Sequence, residues 1–183
     1  MNAHVELQEA FFRFDTAHKR GFKGVQISSE ALKKTDLSHK RVAIIDTDQF
    51  TVSYLNTLSQ TATQLYIFQI QPRLILPHTP KITSTLIPHP LIARNRRLFS
   101  NCVKRVLALR FLEREVPNIW LRRLLTANAA HNEKQFLKSD SYFQALQKEN
   151  CQLITWPIAQ IHGDHIETIN AEKFKIDVIV YAN

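Results

Sequence analysis

The residues best placed to do chemistry lie in the stretch from His39 to Thr51. A basic edge of Lys40 and Arg41 leads into the apolar run Val42 to Ile45, then Asp46-Thr47-Asp48, then an amphipathic segment opening at Phe50. Strand, tight turn and helix make the frame of a pyrophosphate site. Helix N–H groups point at the anion, and glycines let the backbone close in. A working frame reads G-x-G-x-x-G, and here Asp46, Asp48 and Thr51 hold the three glycine positions. Two carboxylates repel phosphate charge, and their side chains crowd the approach. The same residue types favour helix starts, so the default reading of this turn is capping of the helix that follows. Asp46 and Asp48 as a metal pair lack a further ligand cluster.

Elsewhere, candidates are few. Of the eight histidines only His162 and His165 stand close, on either side of Gly163-Asp164, and surface turn histidines are the default; no metal site is expected. Cys102 sits in a basic helical stretch, which favours a thiolate, but packing as a small hydrophobe is the simpler expectation. Three glycines in 183 residues cannot build a phosphate-cradling loop of the Walker type. No Ser–His–Asp arrangement can be argued from order alone.

Length suits one domain with an insertion, and a 44% hydrophobic, 22% charged composition suits an ordinary globular chain. No apolar run approaches the length of a membrane span, and the N-terminus lacks a signal-peptide pattern. Cys102 and Cys151, with no CxxC, are expected as free thiols in a reducing compartment, the cytoplasm. The net charge of +8 is local: residues 94 to 123 hold nine Lys and Arg against Glu113 and Glu115. Such runs are usually solvated faces, and no interleaved aromatics support base stacking, so nucleic acid is not the expected partner.

The elements that must position the turn follow from periodicity. Arg41 to Ile45 reads as a parallel strand, Phe50 to Ala62 as a helix, and Gln64 to Gln69 as a second strand, a βαβ unit. Residues 21 to 38 read as connector with a capped turn near Ser28. Five of seven prolines fall within residues 72 to 90, marking extended chain or turns that leave the sheet. Residues 91 to 126 read as two helices broken near Pro117, the second turning Trp120, Leu121, Leu124 and Leu125 inward. Residues 127 to 138 read as irregular, and Asp140 to Lys148 as a short helix. Cys151 to Trp156 is a returning strand, Gly163-Asp164 a hairpin turn, and Phe174 to Tyr181 a closing strand.

Several motifs now fall in order, and the sequence resembles the Baeyer–Villiger and flavin-containing monooxygenases, over roughly residues 21 to 183. Their fingerprint F-x-G-x-x-x-H-x-x-x-W is met by Phe22 and Gly24, with Ser28 and Leu32 at the His and aromatic positions. Their K-R-V-A-V-I-G-T-G-A-T-G is met by Lys40 to Ile45 and Thr47, but not by glycines. Their F-Q-R-T-P is Phe68-Gln69-Ile70-Gln71-Pro72 here. Their Lys-Arg pair before S-x-x-Y-Y is Lys134-Gln135 before Ser139, Tyr142 and Phe143. Their D-V-I-V-Y-A-T-G begins at Asp177.

The resemblance implies an α/β fold: a Rossmann-like three-layer dinucleotide-binding domain, with a helical insertion at about 88–130 and a β-meander, covering residues 21–183 after a divergent segment 1–20. It implies NADP and FAD as cofactors, with Thr47, Gln69 and Lys134 as relict NADPH contacts. The default readings are a solvated loop for Lys134 and a water-facing strand end for Gln69. Ile70 replaces the arginine that would hold the 2′-phosphate, and neutral Gln135 replaces the arginine that would stabilise charge on the flavin. No cofactor is therefore expected to bind tightly, NADPH being weak or absent. The expectation is a truncated homologue of an FAD- and NADPH-dependent monooxygenase without autonomous catalysis. The alternative is an interaction module, or one half of a split monooxygenase that docks a separate FAD-domain chain.

Overall fold

A computed structural model describes residues 21–69, 73–78, 96–126 and 136–182. Five parallel strands form the central sheet: β1 (Val25–Ser28), β2 (Arg41–Ile45), β3 (Gln64–Phe68), β6 (Cys151–Ile154) and β10 (Val178–Tyr181), in the spatial order β1-β10-β2-β3-β6. The middle strands are apolar on both faces, as a parallel strand covered on both sides must be. Val42, Ala43, Ile44, Leu65, Ile67, Ile179 and Val180 have no measurable exposure.

One face of the sheet meets helices. Val42, Ile44, Leu65, Ile67 and Val180 pack there against Val52, Leu55 and Leu58 of α1 (Gln49–Thr61) and Tyr142, Phe143 and Leu146 of α4 (Tyr142–Leu146). The helices α2 (Arg96–Glu115) and α3 (Ile119–Thr126) add Phe111, Leu112 and Leu125. The other face carries Ala43, Ile45, Phe68 and Ile179. It is covered by an antiparallel meander of β7 (Ile158–Ile161), β8 (His165–Thr168) and β9 (Lys173–Lys175), through Ile158, Ile161, Ile166 and Phe174. Phe174 meets Tyr66 and Phe68 edge-on at centroid distances of 5.2 and 5.6 Å.

The βαβ unit, the short helix after Asp140 and the hairpin at Gly163-Asp164 appear where periodicity placed them. Four expectations are corrected. Residues 21 to 38 are not mere connector: Val25–Ser28 pairs in parallel with Val178–Tyr181 as an edge strand, and Ser29–Lys33 is a 3-10 helix. Phe174 to Tyr181 is not one strand. Asp177 breaks it, donating its N–H to the Arg41 carbonyl and forking its carboxylate to Arg41 at 2.6 and 3.0 Å, so β9 and β10 belong to different sheets. Phe136–Lys138 (β5), read as irregular, is a strand, and pairs in parallel with Leu74–Leu76 (β4) of the extended proline-rich run as a separate two-stranded sheet. Trp120 and Leu124 do not face inward; they are 69% and 41% exposed, while Leu125 is buried.

The Phe22–Gly24 motif has a packing role. A Cβ on Gly24 would lie 2.4 Å from the Asp177 carbonyl oxygen and 2.5 Å from the Phe22 ring, so only glycine lets the chain pass between meander and sheet. Among the described residues no helix is long and apolar enough to cross a membrane.

Candidate functional site

The β2–α1 turn is built by its own side chains. Asp46 has φ 64°, the left-handed conformation in which aspartate is tolerated better than most residues and glycine best. Its N–H donates to the Phe68 carbonyl at 2.9 Å, which fixes the turn against β3. One Asp46 carboxylate oxygen accepts the next N–H, that of Thr47, at 2.7 Å, and the other pairs with the Arg73 guanidinium at 3.3 Å.

Asp48 is the N-cap of α1. Its Oδ1 accepts the Thr51 N–H at 2.8 Å, and the Thr51 hydroxyl accepts the Asp48 N–H at 2.9 Å, so both halves of a capping box are present. Its Oδ2 accepts the hydroxyl of buried Ser29 at 2.5 Å. A carboxylate therefore sits where the helix dipole and free N–H groups would otherwise attract a phosphate. The cleft beside the turn, of about 300 Å³, is lined by Ser29, Glu30, Thr47, Asp48, Gln49, Phe50, Arg73 and Leu137. Arg73 is the cation of that lining, which also holds Glu30 and Asp48. Its Nε is buried without a hydrogen-bond partner among the described residues, while its Nη2 serves Asp46.

Behind the turn runs a buried polar chain. The Gln69 amide donates to the Thr47 hydroxyl at 2.9 Å, and the Tyr142 hydroxyl donates to the Gln69 amide oxygen at 3.2 Å. Burial holds the Tyr142 phenol far above its ordinary pKa, so it remains a donor. The expectation that Gln69 faces water is thus corrected: it is 2% exposed, because its polar atoms are satisfied inside. Ser139 accepts the Tyr142 N–H at 3.1 Å and starts α4, so the S-x-x-Y spacing serves this same chain. Thr47, Gln69 and Thr51 come together at the turn, whereas Ile70, Lys134 and Gln135 lie outside the described residues.

Sequence reasoning missed Arg73 and Tyr142 as members of this site. An arginine three residues past Ile70, beside a turn carrying two aspartates, was the signal for the first. The motif tyrosine itself was the signal for the second. Of the thiols, Cys102 is exposed rather than packed, because it falls on the outer side of α2. Cys151 is pushed up to about 12 by burial and is not a nucleophile at neutral pH. On the meander, His162, His165 and Glu167 bring their ligand atoms within 4.8 Å of one another.

Fold and turn together define an α/β domain on a parallel sheet, with a strand–turn–helix frame whose helix start is filled by its own carboxylate. No protein-family model matches the chain. It is 26% identical over 168 residues to the Baeyer-Villiger monooxygenase of Pseudomonas aeruginosa, an alignment covering 80% of this chain and 32% of that protein. It is 26% identical over 176 residues to the FAD-binding monooxygenase ktnD of Aspergillus niger, covering 80% and 28%. In fold it matches steroid monooxygenase bound to NADP, with a TM-score of 0.68 at 18% identity over 88% of this chain and 42% of that one. Cyclohexanone-bound cyclohexanone monooxygenase gives a TM-score of 0.68 at 14% identity over 91% and 44%. The chain's relatives and structural neighbours are thus Baeyer–Villiger and flavin monooxygenases. The chain spans about a third of the length of the curated relatives it matches.

Proposed function

We propose that residues 21–183 are a Rossmann-like, three-layer NADPH-binding-type domain, homologous to that of an FAD- and NADPH-dependent monooxygenase, whose nucleotide turn no longer holds its cofactor. The observation that carries this reading is the Asp48 carboxylate on the Thr51 N–H and the Ser29 hydroxyl. The residues present do not fit a pyrophosphate. The Thr47, Asp48 and Thr51 N–H groups are taken by side chains of the turn itself, Asp46 and Asp48 add negative charge, and Arg73 is paired with Asp46. Ile70 and Gln135, at the arginine positions of the resembled motifs, support the same reading. Thr47 and Gln69, the relict contacts, are engaged with each other. Flavin chemistry would be supplied by an FAD-binding domain outside these residues, and no catalytic step is assigned to them.

The test restores the frame. Asp46→Gly, Asp48→Gly and Ile70→Arg together should raise affinity for NADP at least tenfold over the parent chain. A folded triple variant that binds no better than the parent refutes the reading of this turn as a degraded nucleotide site.

A second reading, an interaction module, is favoured by α3. Ile119, Trp120 and Leu124 are all more than 40% exposed on a helix that also carries Arg122 and Arg123. If this face docks an FAD-bearing chain, Trp120→Asp should abolish co-sedimentation with that chain while leaving the melting temperature unchanged. Retained co-sedimentation removes the reading.

A further inference from the structure

We propose that the outer face of the β7–β8 hairpin is a binding site for a divalent transition-metal ion of the zinc class, with His162, His165 and Glu167 as its ligands. The topology makes the cluster. A two-residue turn, Gly163-Asp164, sets His162 opposite His165, with the His162 N–H donating to the His165 carbonyl at 2.8 Å. Strand residues alternate faces, so Glu167 follows His165 on one side while Ile161 and Ile166 turn to the other and are buried. Hydrophobic packing against the central sheet therefore fixes which side chains share the outer face.

A carboxylate that would hold the His165 ring in place is already present. The Asp164 carboxylate lies 2.7 Å from His165 Nδ1 and orients the ring. A carboxylate accepts only, so in the neutral imidazole, the form that binds metal, the proton is placed on Nδ1 and the lone pair on Nε2. That Nε2 is buried with no hydrogen-bond partner among the described residues. An orienting carboxylate on one ring nitrogen and a free lone pair on the other is the arrangement of a metal-ligating histidine. His162 Nε2 and the Glu167 carboxylate face each other at 3.3 Å, where a bound ion would replace their direct contact.

Two imidazoles and a carboxylate select the zinc class over calcium or magnesium, which prefer all-oxygen sets. Three protein ligands leave the fourth tetrahedral position to water. The rings now stack at 4.3 Å and 14°, so their lone pairs lie in nearly parallel planes. Chelation thus requires one imidazole to rotate so that the lone pairs converge. The half-exposed His162 is the ring free to do so. Lys173 approaches Glu167 at 3.9 Å and Lys175 pairs with His165 across β9, so their charges oppose the ion. Lys173 is 62% exposed and can swing into water, which sets the expected affinity at micromolar rather than nanomolar.

The test uses the untagged, metal-stripped chain, titrated with Zn(II) by calorimetry at neutral pH and with Co(II) by visible absorption. One equivalent of Zn(II) should bind, Co(II) should give the strong bands of a four-coordinate site, and the melting temperature should rise with Zn(II). Affinity should fall at least tenfold in His165→Ala and in Glu167→Gln, and about 10- to 100-fold in Asp164→Asn, which acts only by orienting His165. His78→Ala, a histidine outside the cluster, should change nothing. Binding should weaken as the pH falls, because protons compete for both imidazoles. Unchanged binding in a folded His162→Ala, His165→Ala, Glu167→Gln triple variant, or no saturable binding by the parent chain, overturns the proposal.

Discussion

Asp48→Ala tests the turn where its interactions converge. The substitution removes the acceptor of the Thr51 N–H, half of the capping box, and the acceptor of the Ser29 hydroxyl. Losing an N-cap costs about 1 kcal/mol. Ser29 is 1% exposed, so its hydroxyl loses its charged partner without gaining water, adding about 1–2 kcal/mol. The expected total is about 2–3 kcal/mol, or a drop in Tm of roughly 5–10 °C for a domain of this size. Equilibrium urea unfolding reads it directly: the midpoint should fall with an unchanged slope. Asp48→Asn keeps one oxygen to accept the Thr51 N–H and puts an amide N–H at the other position, to which the Ser29 hydroxyl can turn as acceptor, so it should lose less than half as much. A double-mutant cycle with Ser29→Ala should show coupling of about 1 kcal/mol or more, because the two side chains share one hydrogen bond. If Asp48→Ala unfolds within about 0.5 kcal/mol of the parent, the carboxylate is not engaged at the helix start. The account of why phosphate is excluded then fails with it.

Gly24→Ala should destabilise by about 1–3 kcal/mol, since its methyl would meet the Asp177 carbonyl oxygen at 2.4 Å; a neutral effect in a thermal melt would contradict the close approach. Gln69→Leu removes the partner of both the Thr47 and Tyr142 hydroxyls inside the protein and should cost about 1–3 kcal/mol by chemical unfolding, a loss that a surface glutamine would not show. The hydrogen-bonding Arg41 guanidinium holds the Asp177 carboxyl down at about 2, below its usual 3.8, so its stabilisation is present at neutral pH and is lost as the pH falls from about 4 through 2. That shift would be worth about 2.5 kcal/mol if shielded from water, and solvent screening of side chains that are 38% and 35% exposed cuts it to about 1 kcal/mol. Acid unfolding of Asp177→Asn measures this loss: the variant should be less stable at neutral pH and converge with the parent near pH 2. Cys102 should be alkylated readily in the native state while Cys151 resists until the chain unfolds, as mass spectrometry of iodoacetamide-treated protein would report.

The elements most legible in the sequence were those whose local pattern and tertiary role agree. Arg41 to Ile45 is apolar on both faces because helices and meander cover it on opposite sides, and the run of side chains says so directly. The edge strand Val25–Ser28 was not legible, because an edge strand half open to water has no apolar run, and its partner β10 lies more than 150 residues away. The break at Asp177 was hidden for a related reason. Phe174 to Tyr181 is mostly apolar and β-branched with no Gly or Pro to mark a turn, and Asp177, forked to distant Arg41, stands where the two strands part. In the site, aspartate and threonine at a helix start made the cap readable from residue types alone. The burial of Gln69 was not readable, since it depends on Tyr142, 73 residues on. Nor was the approach of Glu167 to the two histidines, which required the hairpin register as well as its turn.

The most direct measurement is calorimetric titration of the purified chain with NADPH. With the start of α1 satisfied by Asp48 and with Asp46 facing the same approach, the account predicts no saturable heat up to a ligand concentration of about 1 mM, a free energy weaker than about −4 kcal/mol. Saturable micromolar binding, about −8 kcal/mol, that is weakened by mutating Thr47 or Gln69 would show that the turn still holds a dinucleotide, and would contradict the account at its centre.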